Sequence, residues 1–308
     1  MSEMQAARFH EYGTADVLQI ESVPRPEPAA GEVLVRVRAA GVNPIDWKLR
    51  SGYLKEWMPV ELPAIPGLDL AGTVEAVGDG VDEFEVGEDV FGRGRGSYAE
   101  YALASVGTLA PKPAGVGFAE AAALNVGGLT AWLGLFEVAD LQPGQRVLIQ
   151  GGAGGVGALA VQLAHWKGAY VIATSSASNL DFVRTIGADE AVDYGAVRFE
   201  DVVEPVDVVF DTVGGEVTER SWSVLRPGGT LIVIASMPDA DRAARLGVRV
   251  GSPQPPAETA PVLRRLAALV ESGDLTIPVG RRYPLAAAAE AQAASETGHG
   301  RGRIVLEM

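Results

Sequence analysis

Arg146-Val-Leu-Ile-Gln-Gly-Gly-Ala-Gly-Gly-Val-Gly157 is the stretch whose reading decides the fold. An apolar run of strand character, Val147 to Ile149, breaks into a glycine loop, and the loop opens an Ala/Leu-rich helix over Val156 to Trp166. Gly152, Gly154 and Gly157 fit the spacing G-x-G-x-x-G, with Ala153, Gly155 and Val156 between them. In that pattern the first glycine makes a tight turn, the second lets backbone approach a phosphate, and the third lets helix pack on strand. The spacing alone is weak, because 38 glycines in 308 residues produce it by chance roughly once in every two such chains. Context decides: a second β-type segment, Tyr170-Val-Ile-Ala-Thr174, follows the helix and completes a βαβ unit. The loop is read as a dinucleotide pyrophosphate cradle at a helix N-terminus.

Downstream, strands and helices alternate. Arg146 to Gln150, Tyr170 to Thr174, Glu190 to Tyr194, Val206 to Asp211, Gly229 to Ala235 and Gly247 to Gly251 are strand candidates, which predicts a doubly wound, six-stranded parallel sheet. Asn179 to Ile186 and Glu216 to Leu225 read as helices between them. Upstream of Pro113, short β-type segments alternate with Gly/Pro turns, among them Glu32 to Arg38, Gly72 to Val77 and Ser97 to Ala102. This predicts a small all-β barrel. Phe118 to Glu137 reads as helices interrupted at Gly127 and Gly128, and Pro261 to Glu271 as an amphipathic helix. A last strand, Gly302 to Glu307, has no place left in the six-stranded sheet and is expected to return to the first module. The domains are therefore expected at 1–117 with 273–308, and at 118–272.

Composition narrows the function classes. A hydrophobic content of 47% with 21% charged residues is that of a folded globular protein. A net charge of −15 argues against nucleic acid and anionic membranes as partners. The absence of cysteine removes disulfides, thiolate nucleophiles and cysteine-ligated zinc together. His10, His165 and His299 lie too far apart in sequence for a ligand spacing, so no metal is expected. Glu3, Arg8 and Glu11 leave the N-terminal segment without an apolar core of signal-peptide length, and a cytoplasmic protein is expected. Phe118 to Phe136 is apolar enough to suggest a membrane span, but Glu120, Asn125 and the Gly127-Gly128 pair interrupt it, so it is read as buried.

Several blocks together resemble the medium-chain dehydrogenase/reductase superfamily, and within it the zinc-independent quinone oxidoreductase group that includes zeta-crystallin. They are Ala40-Gly-Val-Asn-Pro-Ile-Asp46, Pro66-Gly-Leu-Asp-Leu-Ala-Gly72, Gly87-Glu-Asp-Val90, Gly96-Ser-Tyr-Ala-Glu-Tyr101, Leu129-Thr-Ala131, the glycine loop, Gly187-Ala-Asp189 and Gly302-Arg-Ile-Val-Leu306. The resemblance covers nearly the whole chain. It implies a GroES-like β-barrel followed by a Rossmann domain, an active cleft between them, and a homodimer. Zinc-dependent relatives place a cysteine and a histidine where this chain has Asn43 and Leu68, and neither replacement holds the metal.

For the cofactor, an NAD-specific site puts a carboxylate at the end of the second strand. Here that place holds Thr174-Ser175-Ser176, whose hydroxyls suit the 2′-phosphate of NADPH. The resemblance adds Tyr194 as a phosphate contact and a lysine at a position this chain fills with Asn179. Ser175, Ser176 and Asn179 equally suit helix capping. Val213, Gly214, Ala235 and Ser236 fall at the carboxyl ends of the fourth and fifth strands and are assigned to the ribose walls, with Thr130 at the hinge. On the barrel side, Asn43 is expected either to contact nicotinamide or substrate carbonyl or to stabilise its turn. Tyr53 is expected as a proton donor or an aromatic wall, with Asp46 and Trp47 shaping the pocket; Asp46 also suits a hydrogen bond to the Asn43 loop.

The expected activity is NADPH-dependent hydride transfer to a quinone or an α,β-unsaturated carbonyl, without metal or covalent nucleophile. The same residues leave two rivals: an enoyl-thioester reductase of a biosynthetic pathway, and a non-catalytic NADPH-binding or structural protein.

Overall fold

The computed structural model describes residues 2–308 and divides them into two compact units. The first contains the chain up to Val126 with Ala257–Ser272 and Ile277–Met308; the second contains Gly127–Pro256 and Gly273–Thr276. Strands β1 (Glu3–Arg8) and β2 (Gln19–Pro24) form an antiparallel pair. β3 (Glu32–Val42), β4 (Asp69–Val77), β5 (Asp89–Arg93), β6 (Tyr101–Ser105) and β7 (Leu109–Pro111) follow. They join β14 (Val279–Pro284) and β15 (Arg303–Glu307) in one seven-stranded sheet, ordered β14-β15-β3-β4-β5-β7 with β6 also on β3.

The eleven-residue β3 organises this unit. Its first half pairs with β6 and its last residues, Ala39 to Val42, pair antiparallel with β15. Val33, Val35 and Val37 point into a core with Phe9, Leu70, Val74, Val90, Tyr98 and Leu109. β-branched side chains fit such a half-buried pleated surface. The last strand does return to the first module, as its surplus over the parallel sheet required. The strand expected at Ser97 to Ala102 lies instead at Tyr101–Ser105. Gly96 has φ +65°, and the turn it makes sends Tyr98 into the core.

The second unit is a six-stranded sheet of β8 (Arg146–Gln150), β9 (Tyr170–Ser175), β10 (Glu190–Asp193), β11 (Val206–Asp211), β12 (Leu225–Val233) and β13 (Arg249–Gly251). All neighbours pair parallel, in the order β10-β9-β8-β11-β12-β13. This is the doubly wound order in which the strand sequence reverses between β8 and β11, the place where ligands bind in such sheets.

Helices α1 (Pro44–Arg50), α2 (Phe118–Trp132), α3 (Gly157–Trp166), α4 (Leu180–Thr185), α5 (Glu216–Ser221), α6 (Ala240–Leu246), α7 (Ala260–Ser272) and α8 (Ala288–Glu296) complete the chain. Every residue of α3 from Gly157 to Ala164 is buried, which its Gly/Ala content permits. The interruption expected at Gly127-Gly128 is absent: α2 runs through both glycines and continues as a π-helical stretch, Leu133–Val138. Phe118–Val138 has the length and composition of a membrane span, yet 72% of its most apolar window is buried inside the protein. α7 and residues 118–126 of α2, expected in the second domain, belong to the first unit, and Gly273–Thr276, expected in the first, belong to the second. α7 packs on β7, and the Thr259 N–H at its head donates to the Gly107 carbonyl at 2.9 Å.

Candidate functional site

At the carboxyl edge of the parallel sheet the glycine loop is fixed from both sides. From β9, the Thr174 hydroxyl accepts the Gly151 N–H at 3.1 Å and donates to Gln150 Oε1 at 2.8 Å, while the Thr174 carbonyl accepts the Gly152 N–H at 2.8 Å. From the β11 side, the Thr212 hydroxyl donates to the Gln150 carbonyl at 2.7 Å. The tight turn belongs to Gly151, with φ +70°, and not to Gly152 as the motif suggested. A Cβ on Gly152 would stand 2.8 Å from the Ala173 Cβ, and one on Gly157 would stand 2.1 Å from the Gly151 carbonyl oxygen. A Cβ on Gly154 meets only that same oxygen, at 3.3 Å. Gly152 and Gly157 thus serve packing, whereas Gly154 keeps the outer surface of the loop bare. At the head of α3 the Ala158 and Leu159 N–H groups donate to the Gly154 and Val156 carbonyls at 3.0 and 3.1 Å, and the N–H groups before them have no intrahelical acceptors. These residues fit a pyrophosphate.

The flanking positions gather at the same edge. Ser175 is buried, and its carbonyl accepts the Tyr194 N–H at 3.2 Å. The Ser176 hydroxyl lies 3.2 Å from that of Ser178 and accepts from Asn179 Nδ2 at 3.1 Å. Neither Ser176 nor Asn179 caps the following helical turns through its side chain. The Tyr194 ring is 54% exposed. Across the sheet, Asp211 turns the chain by accepting the Val213 and Gly214 N–H groups at 2.8 and 3.0 Å and the Thr218 hydroxyl. Thr218 and Ser236 hydroxyls are 3.3 Å apart, and a Cβ on Gly214 would reach that of Ala235 at 3.0 Å. Val213, Gly214, Ala235 and Ser236 therefore form one local group. Thr130 is half-buried in α2.

In the first unit the structure corrects two expectations. Asn43 is 1% exposed. Its Nδ2 donates to Asp69 Oδ2 at 3.0 Å, and its Oδ1 accepts from Arg303 Nη2 at 2.6 Å. Its side chain is committed to the fold, and contact with nicotinamide or a substrate carbonyl is replaced by the turn-stabilising role. Asp46, expected on the pocket wall, is also 1% exposed. Its Oδ2 accepts the Asn43 N–H at 2.8 Å, closing the start of α1, and the Tyr98 hydroxyl at 3.0 Å. Burial, reinforced by the charge of Asp69, raises its carboxyl to about 7. Burial likewise pushes the Tyr98 hydroxyl well above its usual range, with Asp46 adding to the effect.

Sequence reasoning missed the centre of this network, Asp69. Its carboxylate accepts from Asn43, from Asn125 Nδ2 at 2.7 Å, from the Val126 N–H at 3.1 Å and from Arg303 Nη2 at 2.6 Å. Burial raises the Asp69 carboxyl while Arg303 opposes the rise. A second fully buried cation, Arg50, reaches Gln292 Oε1 at 2.7 Å, the Gly13 carbonyl at 2.8 Å and Glu296, tying α1 to α8. The available signal was a charge inside each apolar block, Gly-Leu-Asp-Leu-Ala and Gly-Arg-Ile-Val-Leu. Trp47 is half-buried, with an unpartnered buried Nε1, and Tyr53 is 66% exposed on the turn after α1.

Comparison with known proteins agrees with this architecture. Residues 29–114 match the alcohol dehydrogenase GroES-like domain, and residues 186–306 match the zinc-binding dehydrogenase domain. The chain is 36% identical to a 2-methylene-furan-3-one reductase of Solanum lycopersicum, over 99% of this chain and 79% of that protein. It is 34% identical to an NADPH-dependent alkenal/one oxidoreductase of Arabidopsis thaliana, over 99% and 79%. The structure of the quinone oxidoreductase from Coxiella burnetii superposes with a TM-score of 0.90 at 34% identity, over the full length of both chains. Glycine loop, strand order and relatives together place this chain in the medium-chain dehydrogenase/reductase superfamily, as an oxidoreductase of its quinone oxidoreductase group.

Proposed function

We propose that this protein is an NADPH-dependent reductase of quinones or α,β-unsaturated carbonyls, and that it works without zinc. The observation that carries the reading is the glycine loop at the switch point of the parallel sheet, held by Thr174 and Thr212 and left bare at Gly154. NADPH, when bound, supplies a hydride to an electrophilic carbon of the acceptor. The chain's own residues bind and orient it. Residues 152–157 hold the pyrophosphate on the head of α3, Ser175, Ser176, Asn179 and Tyr194 take the 2′-phosphate, and Val213, Gly214, Ala235 and Ser236 wall the ribose.

On the acceptor side the reading assigns Trp47 and Tyr53, with Tyr53 as an aromatic wall; its exposure of 66% supports a ring that meets ligand. Asn43 and Asp46 position this segment by holding the start of α1. Family habit supports a homodimer, which light scattering tests.

The test of function is NADPH oxidation by the purified protein, followed by absorbance with a simple quinone and a simple enone, with NADH as the control. Acceptor-dependent oxidation of NADPH is the expected result. Saturable NADPH binding without turnover of either acceptor class would instead support a binding protein.

A further inference from the structure

Residues 175–179, which end β9 and form the turn after it, carry no charged side chain. Three hydroxyls and one amide cluster there: Ser175, whose Oγ donates to the Ser176 carbonyl at 3.3 Å, then Ser176, Ser178 and Asn179 around the Ser176 Oγ. Between Thr174 and Val197 the sequence contains a single basic residue, Arg184. Arg184 sits in the last turn of α4 and pairs with Asp181 at 3.3 Å. The next cation along the chain, Arg198, donates through Nε and Nη2 to Glu200 Oε1 at 2.9 and 2.7 Å, with Asp201 4.0 Å away. Its charge is already matched by carboxylates. Asp193 is the register neighbour of Ser175 in β10, so its backbone lies about one strand spacing, ~4.8 Å, from that of the serine. Asp193 Oδ1 accepts the Gly195 N–H at 2.9 Å.

We infer that this enzyme binds the 2′-phosphate through neutral donors alone, so that it discriminates only weakly between NADPH and NADH, with Asn179 as the residue that sets the ratio. The inference rests on the proposed NADPH-binding role of this edge. Neutral hydrogen bonds contribute about half as much as charge-assisted ones, and the net gain from each is modest because water competes for the same phosphate oxygens. The absence of a carboxylate at the end of β9 lets NADPH enter, and the pairing of Arg184 and Arg198 with carboxylates leaves NADH a usable alternative. Ser178 joins the set through its hydroxyl, 3.2 Å from that of Ser176.

The experiment is a pair of fluorescence titrations, NADPH and NADH, on the full-length protein at low and high potassium chloride, repeated with Asn179→Lys. The wild type is expected to bind NADPH less than about 100-fold more tightly than NADH, with nearly equal salt dependence for the two. Asn179→Lys is expected to tighten NADPH about tenfold, leave NADH unchanged, and make NADPH affinity fall more steeply with salt. A wild-type preference above about 100-fold, or an Asn179→Lys variant with unaltered NADPH affinity and salt dependence, would overturn the inference. Failure of both nucleotides to bind would refute the nucleotide reading itself, a result the titration separates from strong selectivity. Ser176→Ala gives an independent check: NADPH is expected to weaken severalfold while NADH stays constant, and equal weakening of both would count against a phosphate contact.

Discussion

Gly154 and Gly157 lie three residues apart in one loop, yet the structure assigns them opposite sensitivities. Alanine at 157 would place its Cβ 2.1 Å from the Gly151 carbonyl oxygen and 3.0 Å from the Gly152 Cα. Both are backbone atoms held by the Thr174 bonds, so the strain cannot be relieved by a side-chain rotation. Overpacking of this kind costs about 1–3 kcal/mol. Alanine at 154 meets one atom, at 3.3 Å, and stability should change by less than about 0.5 kcal/mol. Its methyl group would, however, occupy the surface that a pyrophosphate must approach. Loss of one backbone N–H to phosphate bond is worth about 2 kcal/mol, which is about thirtyfold in Kd. Urea unfolding and NADPH fluorescence titration, run on both variants, separate the two effects. Gly154→Ala should unfold like the wild type and bind NADPH about thirtyfold more weakly, whereas Gly157→Ala should unfold at lower urea. Unchanged NADPH affinity in a folded Gly154→Ala protein would refute the loop assignment.

Asp46 makes stability depend on pH. Its carboxyl lies at about 7 in the folded protein against 3.8 when unperturbed, so the native state holds the proton more tightly, and stability declines as pH rises from about 4 to about 7. Between pH 5 and 8 the loss from this group is roughly 2–3 kcal/mol, and urea midpoints of Asp46→Asn should lack it; a variant with the wild-type slope would assign the effect elsewhere. Arg303→Met leaves the Asp69 carboxylate buried beside two amides without its cation and should cost roughly 3–5 kcal/mol in urea unfolding, with part recovered by adding Asp69→Asn. A loss below about 1 kcal/mol would mean that the ion pair does not matter to stability. Tyr53→Phe should keep kcat within about threefold, since a wall needs the ring and not the hydroxyl; a fall of about 10²-fold with altered product stereochemistry would make Tyr53 a proton donor.

The parallel sheet was legible because its inner strands are apolar runs bounded by turns, as in Val206–Asp211 and Arg146–Gln150. The edge residues of that sheet could be assigned from strand order alone. Gly127-Gly128 misled, because glycine weakens a helix by about 1 kcal/mol per residue, and burial of the surrounding Leu124, Leu129 and Ala131 outweighs that penalty. Asn43 misled for a different reason. An asparagine beside a proline in a turn looks like an exposed ligand contact, and its true partners, Asp69 and Arg303, are separated from it by 26 and 260 positions. No local pattern reports a pairing of that range. Asp46 was half legible: its place three residues into α1 marks a capping carboxylate, while its burial depends on Tyr98 and Asp69.

The position of β15 between β14 and β3 gives the molecule an order of assembly. The parallel-sheet unit needs nothing beyond Thr276, so it can be finished while the barrel still lacks the strand that joins β14 to β3. Asp69 then waits for Arg303, 234 residues later, an interval of roughly 10–50 s at ordinary elongation rates. Until then the far end of β3 is an open edge, and a carboxylate stands in an apolar interior without its cation. Released chains truncated before Arg303 should therefore be the ones that chaperones hold, even though all residues of the parallel-sheet unit are present in them.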